Sequence, residues 1–228
     1  MRILIFGPNG SGKGTQSALL VNRFQVAHIE SGAIFRDHAK RGTELGKEAK
    51  TYTDRGALVP DSITIPMILD RLNAADCAKG WILDGFPRNP SQAIALLDGL
   101  SKAGTPLDAV VEIQVDREIA KARLLGRRTC PAGHPNNLAI PGIQPVGEHE
   151  PYFCWKCGAE LIGRSDDMDE NAIDIRLNIY FDAENGTLAA VQRVHDWCKK
   201  SNTTYVTLDG SAKIDQVQAE LCQGLGLT

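Results

Sequence analysis

A parallel α/β sheet wrapped by helices is the fold this sequence predicts, on three observations. The first is a strand, a glycine-rich loop and a helix in direct succession: Ile3-Leu4-Ile5-Phe6, then Gly7-Pro8-Asn9-Gly10-Ser11-Gly12-Lys13-Gly14-Thr15, then Gln16-Ser17-Ala18-Leu19-Leu20-Val21. The second is the recurrence of short β-branched runs at Arg2 to Phe6, Ala27 to Glu30, Trp81 to Leu83, Ala109 to Val115 and Thr204 to Leu208, separated by helix-like sequence. Such alternation marks parallel α/β sheets. The third is that two intervals do not continue it. Ser31 to Pro60 reads as a mostly helical insert carrying Arg36, Lys40, Arg41, Lys47, Lys50 and Arg55, and Arg127 to Arg164 as a loop-rich insert of Pro, Gly and Asn. The expected architecture is a five-stranded parallel sheet flanked by helices. Its core comprises residues 1–30, 60–126 and 165–228, and the excursions at 31–59 and 127–164 emerge where strands end, which is where open α/β sheets bind ligands.

Length and composition set the outer bounds. At 228 residues and 43% hydrophobic, the chain can bury a real core. A formal net charge of -3 with interspersed signs gives no footprint for nucleic acid or an anionic membrane, so the expected partner is small. Met1 leads directly into the first strand with no signal-peptide pattern, and no apolar run is long enough to span a bilayer. The expectation is a cytoplasmic enzyme.

The first strand and its loop make a polyphosphate cradle. Glycines let successive backbone N–H groups turn inward, the helix N-terminus adds its positive dipole end, and Lys13 supplies a mobile cation. Gly10, Ser11, Gly12, Lys13, Gly14 and Thr15 are the candidate phosphate contacts. In G-x-x-x-x-G-K-[ST] loops a hydroxyl follows the lysine; here Gly14 takes that place and the hydroxyl comes one residue later, at Thr15. The third run is followed by Asp84 beside Gly85, placing a carboxylate at the sheet's C-terminal edge, where it can hold water around Mg²⁺. Arg88 follows Phe86-Pro87 on a rigid turn and can present a bidentate fork to a monophosphate.

The second insert carries Cys130-Pro-Ala-Gly-His134 and Cys154-Trp-Lys-Cys157. A C-x3-H knuckle and a C-x2-C knuckle fit one closed tetrahedral site, structural rather than catalytic. Zinc is the default ion, and cobalt or iron would also be accepted by soft thiolates. His149 is the alternative nitrogen ligand, but His134 is preferred because its spacing from Cys130 forms a knuckle. Cys77, Cys198 and Cys222 stand alone and read as packing residues. Toward the end of the chain, Asp169 to Ala190 reads as helix broken at Asn185-Gly186, and Ala212 to Leu221 as a closing amphipathic helix.

With these features in place the sequence resembles the adenylate kinases, in the long form whose lid carries a metal knuckle pair. The resemblance rests on G-P-N-G-S-G-K-G-T at 7–15, S-G-A-I-F-R at 31–36, G-A-L-V-P-D at 56–61, L-D-G-F-P-R at 83–88, R-L-L-G-R-R at 123–128 and R-S-D-D at 164–167. It implies a P-loop nucleotide-binding fold with an NMP-binding insert and a lid, acting as a monomer. The implied reaction transfers the terminal phosphoryl group of MgATP to AMP, giving two ADP. It further implies that Lys13, Asp84, Arg88, Arg123, Arg127, Arg164 and Arg176 serve the transfer, with Lys213 joining Arg123 and Arg127 at ATP. Ser31, Gly32, Arg36, Ala57, Leu58, Val59, Gly85, Arg88, Gln92, Arg164 and Arg176 would form the AMP site. Gln92 lies where the family reads the adenine edge. Four departures stand out: Ser31 and Asn89 replace threonines, Ala212 lengthens the late D-G turn before Lys213, and the interval from Arg164 to Arg176 is one residue longer, which an insertion in Asp166 to Asn171 explains. A pyrimidine monophosphate kinase and a nucleotide-gated zinc-ribbon binding module are the rival readings.

Overall fold

The computed structural model of the chain describes residues 1–164 and 167–227. Ser165 and Asp166, which belong to the R-S-D-D segment and to the expected insertion, lie outside the described residues. Strands β1 (Arg2–Phe6), β2 (Ala27–Glu30), β3 (Trp81–Asp84), β4 (Ala109–Gln114), β5 (Arg127–Thr129), β6 (Pro135–Asn137), β7 (Ile162–Gly163) and β8 (Thr204–Asp209) divide into two sheets. The larger is five-stranded and parallel throughout, in the order β2-β3-β1-β4-β8. Its strands fall within a residue or so of the β-branched runs.

Parallel strands buried on both faces need apolar runs; β1 has one in Ile3 to Phe6, and β4 is apolar from Ala109 to Ile113 except at the buried Glu112, whose carboxylate accepts from the Tyr205 hydroxyl at 2.8 Å. The helices are α1 (Lys13–Phe24), α2 (Ser31–Lys40), α3 (Glu44–Thr53), α4 (Asp61–Leu72), α5 (Pro90–Lys102), α6 (Arg117–Leu125), α7 (Glu170–Phe181), α8 (Thr187–Ser201) and α9 (Ile214–Gly224). On one face α4, α5 and α8 bring Ile68, Leu96 and Val194 onto Leu4, Leu83 and Val110. On the other, α1 and α9 bring Leu20 and Leu221 onto Ile3, Ile5, Ile82 and Val111. Cys77 and Cys198 are buried in the first of these layers, in keeping with the packing role expected of them.

The expected break in the helical stretch at 169–190 is present, between α7 and α8. The chain turns between them because the Asp182 carboxylate accepts the backbone N–H groups of Glu184 and Asn185, at 2.8 and 2.9 Å. Gly186 then packs so tightly that a Cβ there would lie 2.1 Å from the Ile179 carbonyl oxygen.

The first insert is the α2–α3 hairpin. Thr43 caps α3 by accepting the N–H of Gly46 at 3.1 Å, and Gly46 lets the two helices touch, since a Cβ there would meet the His38 carbonyl carbon at 2.2 Å. Phe35, Ala49 and Val59 form a small core beneath it.

The second insert is more ordered than its composition suggested: β5, β6 and β7 make an antiparallel sheet, in the order β6-β5-β7. Its buried apolar cluster is Cys130, Cys154 and Leu161, with Tyr152 and Ala159 packed against them. So few apolar side chains cannot supply the usual core.

Candidate active site and metal centre

β1 lies at the middle of the large sheet, and the loop that follows it opens at the sheet's C-terminal edge. Gly10 has φ of 90°, and a Cβ there would sit 2.7 Å from the Ala120 carbonyl oxygen, so the loop's path requires glycine at this position. Gly12, at the N-cap of α1, offers no side-chain cap and the first turn holds no acid. The leading N–H groups of α1 are therefore left to face an anion. Lys13 curls over the loop, donating to the Gly7 and Pro8 carbonyls at 2.8 and 3.1 Å, and its ammonium lies 3.8 Å from the Asp84 carboxylate. Burial pulls the Lys13 ammonium below its usual range although Asp84 opposes this. Burial likewise pushes Asp84 up against the pull of Lys13.

A cleft of about 540 Å³ runs from this loop between the two inserts. Among the described residues, nine basic side chains line it against three acidic ones, on a chain whose net charge is -3. Lys13, Arg36, Arg88, Arg123, Arg127, Arg164 and Arg176 all belong to that lining, so the sheet and both inserts deliver their cations to one place. Each is held by a protein acceptor or charge. Arg88 donates from Nε to the Gly85 carbonyl at 2.7 Å, and burial lowers its pKa. Arg123 reaches the Gly210 carbonyl at 2.7 Å. Arg36 pairs with Glu30 at 2.7 Å. Burial pushes the Glu30 carboxyl up, but the charge and hydrogen bond of Arg36, helped by Arg164, outweigh it and leave the group below the usual carboxylate range.

The arginines at the far wall share one acid. Asp167 accepts from Arg127 at 2.6 Å and from Arg176 at 2.9 Å, and both Asp167 and Arg176 are buried. Arg176 thus reaches the cleft despite the longer interval that precedes it. Lys213 does not line the cleft; it stands at the N-cap of α9, just past the turn whose Gly210 carbonyl holds Arg123.

A smaller pocket adjoins the cleft and shares Gly32, Ala57, Gly85 and Arg88 with it; Ser31, Leu58, Val59 and Gln92 complete the expected set. Ser31 donates to the Gly85 carbonyl at 2.7 Å. Gln92 accepts the backbone N–H of Arg88 at 2.7 Å and donates to Asp61 at 2.7 Å.

In the second insert, one ligand atom from each of Cys130, His134, Cys154 and Cys157 lies within 4.8 Å of all the others. Cys130 and Cys157 sulfurs are 3.6 Å apart, and His134 Nδ1 lies 3.7 and 3.6 Å from the sulfurs of Cys130 and Cys154. A tetrahedral ion with metal–sulfur bonds of about 2.3 Å sets edges of ~3.8 Å, so the four residues fit a metal of zinc's size. The geometry selects His134, not His149. Asn136, on β6, ties the cluster to the cleft: its amide donates to the Cys154 sulfur at 3.3 Å and to the His134 carbonyl at 2.9 Å, while the residue lines the cleft. Burial raises the Cys154 thiol, but the Asn136 amide and the backbone N–H groups of Cys157 and Lys156 outweigh it, bringing the thiol to about 5. A thiolate is the form a metal needs.

Three partners escaped the sequence reading: Glu30, Asp61 and Asp167. All are acids that hold a basic or amide group in the site. Asp61 and Asp167 end the quoted G-A-L-V-P-D and R-S-D-D segments, which was the available signal.

A glycine-rich phosphate loop at the edge of a parallel sheet, facing a cleft walled with arginines from two inserts, defines a nucleoside monophosphate kinase. The family model for adenylate kinase matches residues 5–193. The chain is 57% identical over 228 residues to an adenylate kinase of Desulfosudis oleivorans, covering 99% of this chain and 100% of that protein. It is 52% identical over 229 residues to one of Desulfatibacillum aliphaticivorans, with the same coverage. To one of Nitratidesulfovibrio vulgaris (strain DSM 19637 / Miyazaki F) it is 53% identical over 227 residues, again at 99% and 100%. The chain belongs to the adenylate kinase family. Among the described residues, no helix is long and apolar enough to cross a membrane.

Proposed function

We propose that the chain is an ATP:AMP phosphotransferase, moving the γ-phosphoryl of MgATP reversibly onto AMP to give two ADP, and that it works as a monomer in the cytoplasm, without nucleic acid as a partner. The observation that carries this reading is the arginine-lined cleft, which joins the phosphate loop at one end to the Ser31–Gln92 pocket at the other. Lys13 and the loop amides bind the donor phosphates, together with Arg123 and Arg127. Arg36 and Arg88 hold the acceptor phosphate, and Arg164 and Arg176 meet the transferring group from the side.

Phosphoryl transfer is loose and in line, so alignment and positive charge supply the catalysis. The acceptor is a phosphate oxygen already anionic at neutral pH, so no general base is needed. Asp84, at the sheet's C-terminal edge 3.8 Å from the Lys13 ammonium, is placed to accept hydrogen bonds from a cation's hydration shell. Mg²⁺, when bound with ATP, neutralises phosphate charge there. The segments 31–59 and 127–164 act as moving covers that keep water from competing as acceptor. The Cys130, His134, Cys154 and Cys157 cluster holds zinc in a purely structural role.

The test is ADP formation from MgATP with AMP, UMP, CMP or GMP, comparing the parent with Arg88→Ala. Rapid turnover selective for AMP, reduced about 10²-fold or more in the variant, is the expected result. Turnover with UMP or CMP but not AMP would move the assignment to a pyrimidine acceptor.

A further inference from the structure

We propose that Asp61 is a specificity-positioning residue: with Asn89 and the Arg88 backbone it locks the Gln92 side chain in one of its two amide orientations, and this lock sets the acceptor base. The inference rests on the reading that Gln92 faces the base of the acceptor monophosphate. An amide side chain is nearly symmetric in shape, so only its neighbours decide which end is oxygen and which is nitrogen. Around Gln92 they leave no choice. Its Oε1 accepts from the Arg88 N–H at 2.7 Å, and a backbone N–H can only donate. Its Nε2 donates to Asp61 Oδ1 at 2.7 Å, and a carboxylate can only accept. A flipped amide would set donor against donor and acceptor against acceptor, in a site where Gln92 is 2% exposed and water cannot compensate.

Asp61 is itself fixed. Asn89 donates from Nδ2 to its two oxygens at 3.0 and 3.1 Å, while Asn89 Oδ1 accepts the Gln92 backbone N–H at 2.8 Å. Asn89 caps α5 and Asp61 opens α4, so the lock staples two helix N-termini together. One N–H and one lone pair of Gln92 then remain for the pocket, in fixed order. That pair complements adenine, whose N1 accepts and whose 6-amino group donates. It opposes hypoxanthine, guanine and uracil, where a ring N–H donates and a carbonyl accepts. Cytosine carries adenine's pattern, so the lock sets AMP apart from UMP, GMP and IMP, not from CMP. Discrimination comes from the mismatch imposed on the wrong base as much as from the match to the right one.

The experiment compares kcat/KM for AMP and IMP, which differ only at this edge. The parent is expected to prefer AMP by about a thousandfold or more. Asp61→Asn, whose amide can donate or accept, should lower that ratio at least tenfold through KM for both monophosphates, with KM for ATP unmoved. Asp61→Glu, still acceptor-only, should restore most of the preference. If Asp61→Asn does not fold, Asn89→Ala, which frees the Asp61 carboxylate, should shift the ratio in the same direction. A ratio unchanged in folded variants overturns the lock. Gln92→Leu separates the two readings: an unchanged KM for AMP in that variant would overturn the base-site reading itself.

Discussion

Lys13 and Asp84 stand 3.8 Å apart with burial working against the charge of each. Because the folded-state pKa of Asp84 lies above its unfolded value, its ionised form costs stability at pH above the folded pKa, and that cost vanishes below the usual carboxylate range. Asp84→Asn is therefore expected to gain thermal stability relative to the parent at pH 8, with the gain fading toward pH 4.5, while kcat falls about 10²-fold or more. Melting curves at the two pH values and initial rates check both halves. A gain of equal size at both pH values would count against this account. Asp167 is the opposite case, a buried acid satisfied by two arginines. Removing one partner of such a cluster costs about 3–5 kcal/mol, so Asp167→Ala should melt well below the parent, and added MgATP should recover more of the loss than it adds to the parent. At this scale the cations were legible because glycine and arginine patterns recur at fixed spacings. The roles of Asp167, Asp61 and Glu30 were not, since an acid that orients a neighbour shows its task only when the fold supplies the neighbour, even where, as for Asp61 and Asp167, it ends a recognisable segment.

Among the elements, the core strands could be read directly, because a sheet covered on both faces demands β-branched runs and little else in the chain mimics them. The three short strands of the second insert escaped notice. Composition rich in Pro, Gly and Asn argues for loop, while the Cys130-to-His134 turn is the hairpin that joins β5 to β6. Asn136 belongs to the same story: it sits one residue beyond Pro135 and binds the Cys154 sulfur, a contact no spacing rule reveals. Metal removal by a chelator is expected to lower the melting temperature and leave the circular dichroism of the main sheet intact. Asn136→Ala should release the metal about 10–100-fold more readily, since such supporting hydrogen bonds typically carry that much of the affinity. Release into a colorimetric metal indicator measures it. Equal release from parent and variant would remove Asn136 from the account.

Viewed whole, the molecule keeps a negative net charge while its described residues gather nine cationic side chains into one cleft. The overall architecture was readable in the sequence because alternation and interruption are both visible there, and the resemblance already implied that both inserts serve one site; the strand order that brings them together was not readable. That order carries a further consequence at the base of the second insert. β5 and β7 are hydrogen-bonded neighbours, with Arg128 opposite Gly163, and Arg127 on the way in grips Asp167 on the way out. The chain thus leaves the main body and returns to it at nearly one point, with antiparallel partners about 5 Å apart. Such an appendage is topologically a cassette: a short turn joining its two stems would leave the β-ladder's register and the sheet beneath undisturbed, and foreign sequences of very different length could be spliced there at little cost in loop-closure entropy.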